Sequence, residues 1–280
     1  MRHDGDRVGT TAPPALTRTR VLGLIWQLAI IYVLDKAYEA TRGIIPHQED
    51  VALRHGLAVV GIEKSWHIFD EWWVQAVVFR HAQWHFGPLT IDRGAIISLV
   101  NHFYLYSHFI GTPAFLVWLY LLRRQHFRFV RDVIVITTGL ALVIYILFPM
   151  MPPRLMGAYL DLPHHYHIQD TLAPILNYKL QQTQIGYNPY AAMPSLHFAW
   201  ALILGVTLVL LGRHVVLRLL GLLYPVMMLA TILISGNHLL LDAAGSVIVV
   251  TVAVITALVL HRRLSPRPFL DGSGRATLAA

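Results

Sequence analysis

Residues 194–242 read PSLHFAWALILGVTLVLLGRHVVLRLLGLLYPVMMLATILISGNHLLLD, and this stretch decides the fold that we expect. It holds two consecutive apolar runs, one that leads away from His197 and one that leads back to His238. Both histidines therefore lie at the same end of a predicted helical hairpin. Asp242 follows His238 by one helical turn. Histidine-based phosphoryl transfer requires such a set: one imidazole attacks phosphorus, the second protonates the leaving oxygen, and the carboxylate fixes the tautomer of the first.

The composition indicates a membrane-embedded protein. Hydrophobic residues make up 56% of the 280 residues and charged residues 13%, which leaves too little polar surface to cover a soluble globule. The absence of cysteine excludes disulfides and thiolate chemistry. We expect the lipid bilayer and a membrane lipid substrate as partners, and no nucleic acid.

The apolar runs predict an all-α fold, a bundle of six transmembrane helices. Runs shorter than about 20 residues extend past the apolar boundary into the interface. The first run is interpreted as a retained anchor, because no small-x-small cleavage site follows it closely. The predicted spans are Val21–Leu34, Ile96–Leu122, Val133–Phe148, Leu196–Leu211, Val215–Ile234 and Leu239–Leu260.

A single membrane-embedded catalytic domain is predicted over residues 18–262, between a disordered cytoplasmic tail, 1–17, and a second cytoplasmic tail, 263–280. Residues 46–97 mix apolar, charged and tryptophan residues, which predicts one or two amphipathic helices in the membrane interface before the second span. Residues 155–191, rich in tyrosine, are predicted to form an extracytoplasmic cap over the site.

The arginines predict the orientation of the bundle. Every second connection is basic, and basic connections face the cytoplasm. The two histidines are therefore expected on the extracytoplasmic side. The arginines concerned are Arg2, Arg7, Arg18, Arg20, Arg123, Arg124, Arg128, Arg131, Arg213, Arg218, Arg262, Arg263, Arg267 and Arg275.

His238 and Asp242 are predicted to form a functional pair. Residues four apart stack on one face of a helix, so the carboxylate of Asp242 can accept a hydrogen bond from the imidazole. A carboxylate inside the apolar boundary is costly unless it is paired. The alternative is a polar contact that only packs helices together.

Two further residues are candidates for binding phosphate. Ser195 stands at a helix start, where it can act as an N-cap beneath free backbone amides that attract an anion. Arg154 follows the prolines that end the third predicted span, level with the two histidines, and a guanidinium can hold phosphate through two hydrogen bonds. An arginine that extends to lipid headgroups is the alternative.

Asn101, Tyr104 and His108 form a polar stripe on the second predicted span. Substrate contact and hydrogen bonding between helices explain this stripe equally well.

The remaining histidines favour neither a metal nor a haem site. His164, His165 and His167 resemble a metal-binding tract, but a single cluster in a loop beside tyrosine is more typical of a polar lid. None of the sixteen histidines lies near the middle of a predicted span, where a bis-histidine haem would need its ligands. No metal and no cofactor are therefore predicted.

Three strings together resemble the type 2 phosphatidic acid phosphatase superfamily. More narrowly they are similar to the branch with aureobasidin-sensitive inositol phosphorylceramide synthases and many bacterial lipid phosphatases and phosphotransferases. The resemblance covers residues 55–262, since the Tyr104/His108 pair and Gly61-Ile62-Glu63 also look like that branch. The three strings are Ala192-Met193-Pro194-Ser195-Leu196-His197, Gly236-Asn237-His238-Leu239-Leu240-Leu241-Asp242 and Pro152-Pro153-Arg154.

The resemblance implies a six-helix, metal-independent membrane enzyme with a phosphohistidine intermediate. It assigns His238 as the nucleophile, Asp242 as its orienting base, His197 as the acid, and Arg154 as the arginine of the first motif. Three positions depart from the superfamily pattern, where a lysine, an arginine and a glycine are usual: Leu147, Ile232 and Leu196. Candidates to compensate for the two lost cations, or to bind substrate, are Asn101, Tyr104, His108, Asn237 and Arg93.

The implied function is that of a lipid phosphatase or phosphotransferase in a bacterial-type plasma membrane. It would cleave a lipid phosphate ester or anhydride, and the acceptor, water or a lipid or polyol hydroxyl, decides between the two activities. Two alternatives stay open: a histidine-rich membrane redox or transport protein without phosphoryl transfer, and a catalytically silent lipid-binding relative.

Overall fold

The computed structural model describes residues 48–162, 166–172 and 189–264, together with scattered positions between Leu22 and Lys36. This part of the chain is mostly helical. In chain order the elements are α1 (Glu49–Ser65), α2 (Glu71–Arg80), β1 (Gln83–Phe86), β2 (Leu89–Asp92), α3 (Arg93–Tyr106), a π-helical turn (Ser107–Gly111), α4 (Thr112–Leu122), α5 (Arg124–Leu147), a one-turn helix (Pro153–Met156), a 3-10 turn (Gly157–Tyr159), α6 (Leu196–Leu211), α7 (Val215–Ile234) and α8 (Leu240–Leu264).

Within the described ranges, three helices are long and apolar enough to cross a membrane, and they make the protein an integral membrane protein. They are Arg124–Leu147, Val215–Ile234 and Leu240–Arg263. Two further apolar helices, α4 and α6, are shorter. The described positions between Leu22 and Lys36 are helical, and the rest of the first predicted span lies outside the described residues. The total of six spans stays a prediction, as do the two tails.

Hydropathy predicts the bounds of α6 and α7 to the residue, but it places the start of α5 too late. The prediction begins at Val133, whereas the helix begins at Arg124. The first two turns of α5 are amphipathic: Phe127 and Val130 are buried, each 5% exposed or less, whereas basic residues occupy the other face. These basic residues lower the mean hydropathy of the two turns, so hydropathy alone does not predict them as part of the span.

The stretch 46–97 contains the predicted interfacial helices, α1 and α2, but it does not stay helical. Residues 83–92 instead form an antiparallel hairpin in which Phe86 pairs with Leu89. The Gly87-Pro88 dipeptide supplies the turn, a signal that the purely helical prediction overlooked. Asp92 then caps α3, because its side chain accepts a hydrogen bond from the amide of Gly94 at 2.7 Å.

The α6–α7 hairpin is closely packed because two glycines face each other across it. A Cβ on Gly205 would lie 2.5 Å from the carbonyl oxygen of Gly221, and a Cβ on Gly221 would lie 2.7 Å from that of Gly205. Small residues of this kind let helix backbones approach closely. The hairpin thereby brings the start of α6 and the end of α7 to the same end of the bundle.

Apolar clusters hold the bundle together, and two of them are large. The first joins α4, α5, α6 and α8 through residues such as Leu116, Ile134, Leu204 and Ala253. The second packs α1 against the chain that follows α5; its members include Ala52, Val60, Met150, Met156 and Leu239. The start of α8 therefore lies between the apolar bundle and α1.

Candidate active site

His238 lies just before α8 and is held by two acceptors at one ring nitrogen. Its Nδ1 is 3.1 Å from Oδ2 of Asp242 and 2.9 Å from the carbonyl oxygen of Ala192. Because both neighbours accept, the proton belongs on Nδ1, and Nε2 keeps its lone pair. The side chains of His238 and Asp242 are buried. The hydrogen bond predicted from the four-residue spacing is thus present, and it leaves the imidazole in a nucleophilic tautomer.

His197, the second residue of α6, faces His238 across the site. The centroids of the two rings lie 6.5 Å apart, and the ring planes are tilted by 53°. Tyr104 stacks on His197 at 3.9 Å, and the His108 ring lies 4.7 Å away. His108 stands in the π-helical turn and also stacks on Trp200 at 4.0 Å. Two members of the predicted polar stripe therefore surround His197.

Ser195 caps α6, as predicted. Its hydroxyl accepts a hydrogen bond from the amide of Phe198 at 3.4 Å, and the side chain is fully buried. Its backbone amide donates to the carbonyl oxygen of Asp242 at 3.2 Å, and its carbonyl accepts from the hydroxyl of Ser246 at 2.8 Å. These bonds join the start of α6 to the first turns of α8. They fix the two histidine motifs relative to each other.

Arg154 lies in the one-turn helix and is joined to the second histidine motif. Its Nε donates to Oδ1 of Asn237 at 2.7 Å, and its Nη1 forms an ion pair with Asp170 at 3.0 Å. Its backbone amide donates to the carbonyl of Gly236 at 3.0 Å. Gly236 has a φ of +69°, and a Cβ there would lie 2.8 Å from Cγ2 of Ile168, so glycine is required at this close approach.

Two other predicted residues contact partners away from the histidines. Asn101 is buried: its Nδ2 donates to the carbonyl of Thr171 at 2.6 Å, and its Oδ1 accepts from the hydroxyl of Thr171 at 2.7 Å. Arg93 donates to the carbonyl of Phe79 at 2.8 Å and lies over the ring of that residue. Asn101 therefore fixes part of the cap, and Arg93 joins α3 to α2. A substrate contact for either stays a prediction.

The described part of the cap is also held by a residue that the sequence reasoning missed. Gln75, fully buried in α2, accepts from the amide of Gln169 at 2.6 Å and from the hydroxyl of Tyr166 at 3.0 Å. Its Nε2 donates to the carbonyls of Gln169 and Ile234 at 3.0 and 2.8 Å. A glutamine within the apolar string EWWVQAVV was the available signal. Asp170, the partner of Arg154, carries no such signal.

Two buried carboxylates, Glu63 and Glu71, were also missed as parts of the site. They accept from the amides of Leu241 and Leu240, each at 2.7 Å. Burial, reinforced by the charge of Glu71, raises the pKa of Glu63 to about 9. Burial likewise raises the pKa of Glu71.

The predicted lid histidines are only partly described. His164 and His165 lie outside the described residues, whereas the carbonyl of His167 accepts from Nε2 of Gln169 at 3.2 Å. Within the described ranges, no group of three or more histidine, cysteine, aspartate or glutamate side chains could hold a metal ion.

Comparison with known proteins identifies the family of this chain. The comparisons with curated proteins and with solved structures find no match. The family profile of the PAP2 superfamily matches residues 57–256, which is more than half of the chain. The matched range contains Arg154, His197, His238 and Asp242, the residues that the fold brings to one end of the bundle. On this match, the chain belongs to the PAP2 superfamily.

Proposed function

We propose that the protein is a membrane lipid phosphatase or phosphotransferase that works through a phosphohistidine on His238. Membership of the superfamily supports phosphatase-type chemistry, and the apolar helices support a lipid substrate. The observation that carries the proposal is the bond from Nδ1 of His238 to Asp242, with His197 facing the same ring. The centroids of the two rings are 6.5 Å apart, so a phosphate group bound between them can contact both imidazoles.

In the first step Nε2 of His238 attacks phosphorus, and the bond from phosphorus to the lipid oxygen breaks. His197 gives a proton to that oxygen, so the lipid leaves as an alcohol, or as a phosphate from an anhydride. Asp242 holds the Nδ1 proton and stabilises the positive charge that develops on the imidazole. In the second step water or a hydroxyl attacks phosphorus, His197 takes its proton, and the P–N electron pair returns to Nε2.

Arg154 binds the phosphate oxygens in this scheme, and the positive end of the α6 helix dipole adds a second favourable site for the anion. Asn237 orients the guanidinium through its bond to Nε. Leu147 and Ile232, which stand where the superfamily usually has a lysine and an arginine, cannot bind phosphate in their place. Leu147 is 75% exposed on the outside of α5, and Ile232 is fully buried in an apolar cluster. Tyr104 and His108, around His197, are the nearest described candidates to bind the rest of the headgroup.

The proposal extends to the branch and to the side of the membrane. The departures at these positions favour the branch with aureobasidin-sensitive inositol phosphorylceramide synthases and bacterial lipid phosphatases and phosphotransferases. The alternation of basic connections supports a six-span topology, in a bacterial-type plasma membrane, with the site on the extracytoplasmic side.

The test is turnover of a panel of lipid phosphates and diphosphates by purified protein, with free phosphate and transferred product separated by mass spectrometry. We expect turnover by the wild type and a loss of at least about 1000-fold in His238→Ala, because the nucleophile is gone. Acid-labile label from a phosphate-labelled substrate should appear on His238 of the wild type.

The matched control is His102→Ala, since His102 is an exposed histidine of α3 that contacts Ser98 and Tyr106. It should retain wild-type turnover. Wild-type turnover by His238→Ala would contradict the proposal. A haem absorption band, or solute transport in proteoliposomes without cleavage of lipid phosphate, would support the redox or transport alternative instead.

A further inference from the structure

Three consecutive backbone amides at the start of α8 each donate to a different carboxylate. The amide of Leu239 donates to Asp242 at 3.0 Å. The next two, of Leu240 and Leu241, donate to Glu71 and Glu63 at 2.7 Å. The first amides of a helix have no partner within the helix, and one side chain or water usually supplies it. Here two of the acceptors come from α2 and α1, 169 and 178 residues away along the chain.

Glu63 and Glu71 are also close to each other. Both are buried, at 0% and 3% exposed, and the side chain of Glu71 helps to raise the pKa of Glu63. The second oxygen of each, Oε2, is buried and has no other donor among the described residues. Two carboxyl groups can form a hydrogen bond only when they share a proton. Since burial raises the pKa of Glu63 to about 9, Glu63 carries that proton at neutral pH.

In the part of the chain that the structure describes, the neighbouring cationic side chains of Arg154 and Lys64 are bonded to other partners. Asp242 on α8 is a third carboxylate nearby, and its negative charge raises the pKa of both Glu63 and Glu71. Arg154, in the short helix that packs against α1, is engaged by Asp170 and Asn237, and Lys64 of α1 donates to the carbonyl of Asp161. His238 is bonded to Asp242 and Ala192.

The location of the pair connects it to the nucleophile. The amides that it binds lie between His238 and Asp242 in the chain, so any shift of the first turn of α8 changes the His238–Asp242 geometry. A misplacement of about 1 Å at a reacting group can cost about 100-fold in rate. Apolar packing alone would hold the helix but would leave these amides unbonded.

We propose that Glu63 and Glu71 are positioning residues, an acid pair sharing one proton, that fix the first turn of α8 so that His238 stays aligned for attack on phosphorus. This inference rests on the proposed function. It makes the interfacial helices α1 and α2 part of the catalytic geometry. Loss of the shared proton adds a negative charge to the pair near the charge of Asp242 and displaces the turn.

The experiment compares four variants in the lipid phosphate assay. Glu63→Gln keeps an acceptor for Leu241 and a donor for Glu71, so we expect kcat within about threefold of the wild type at neutral pH. Glu63→Ala and Glu71→Ala should lower kcat at least about 10-fold, with KM changed less than about threefold, because alignment rather than binding is lost. Glu49→Gln is the control and should match the wild type, because Glu49 is an exposed carboxylate of α1, the helix that also carries Glu63.

The pH profile separates positioning from a merely structural role. The wild-type kcat should fall as the pH rises through the raised pKa of Glu63, because the pair loses its proton there. Glu63→Gln cannot lose that proton, and its kcat should lack this fall. This comparison also decides the matter if the alanine variants do not fold.

Each outcome bears on one of the two proposals. Wild-type kcat in both alanine variants, or a wild-type alkaline fall in Glu63→Gln, would overturn the positioning role and leave the proposed function intact. A wild-type protein that turns over no lipid phosphate would overturn the proposed function and this inference with it.

Discussion

The apolar half of the bundle and the end that carries the histidines are held together by different interactions. In the first, α4, α5, α6 and α8 meet through apolar side chains, and α6 meets α7 through two glycines. At the other end, buried polar groups from distant parts of the chain converge on the start of α8. Apolar packing therefore brings the two histidine motifs to one place, whereas long-range hydrogen bonds determine their orientation.

The largest expected effect comes from the polar end. Asp242→Asn keeps the size of the side chain but offers an amide to Nδ1 of His238, which favours the wrong tautomer. We expect kcat to fall about 10³–10⁴-fold, as for the corresponding change in a histidine–aspartate pair of a hydrolase. Turnover of the lipid phosphate checks this, with melting temperature in detergent as the control for folding. A loss below about 10-fold would remove the orienting role of Asp242.

The second effect is at the arginine. Arg154→Lys keeps a charge but loses the planar group that binds Asn237 and Asp170 together, so we expect kcat/KM to fall about 10–100-fold. Arg128→Lys is the control, because Arg128 is exposed on α5. Equal kcat/KM values in the two variants would show that charge alone suffices at position 154.

The smallest effect is expected in the apolar half, and it should alter stability rather than chemistry. Gly205→Ala inserts a methyl group against the backbone of Gly221, so we expect a loss of about 1–3 kcal/mol in the free energy of unfolding. Thermal unfolding in detergent measures it, with kcat per folded molecule unchanged. Gly139→Ala is the matched control: its Cβ meets nothing within 4 Å, so it should be neutral or stabilising. Equal melting temperatures would contradict the close contact.

The same contrast explains how much could be predicted from sequence. The bounds of α6 and α7 follow from hydropathy, because both helices are apolar along their whole length and end where polar residues begin. The His238–Asp242 bond follows from a spacing of four. The pairing of Glu63 and Glu71 with α8 does not follow, since the partners are more than 150 residues apart and no periodic pattern connects them. The hairpin at 83–92 was missed because a helical pattern was continued through a Gly-Pro turn.

Gln75 connects the described part of the predicted cap to the end of α7. Its one amide group holds Gln169 by both backbone groups and, at the same time, the carbonyl of Ile234 at the end of α7. Ile234 stands four residues before His238. A displacement of the cap at Gln169 therefore breaks hydrogen bonds that also hold the approach to His238. The position of Gln169 is thus coupled to that of the segment that leads into His238, and a shift of one backbone would also shift the other.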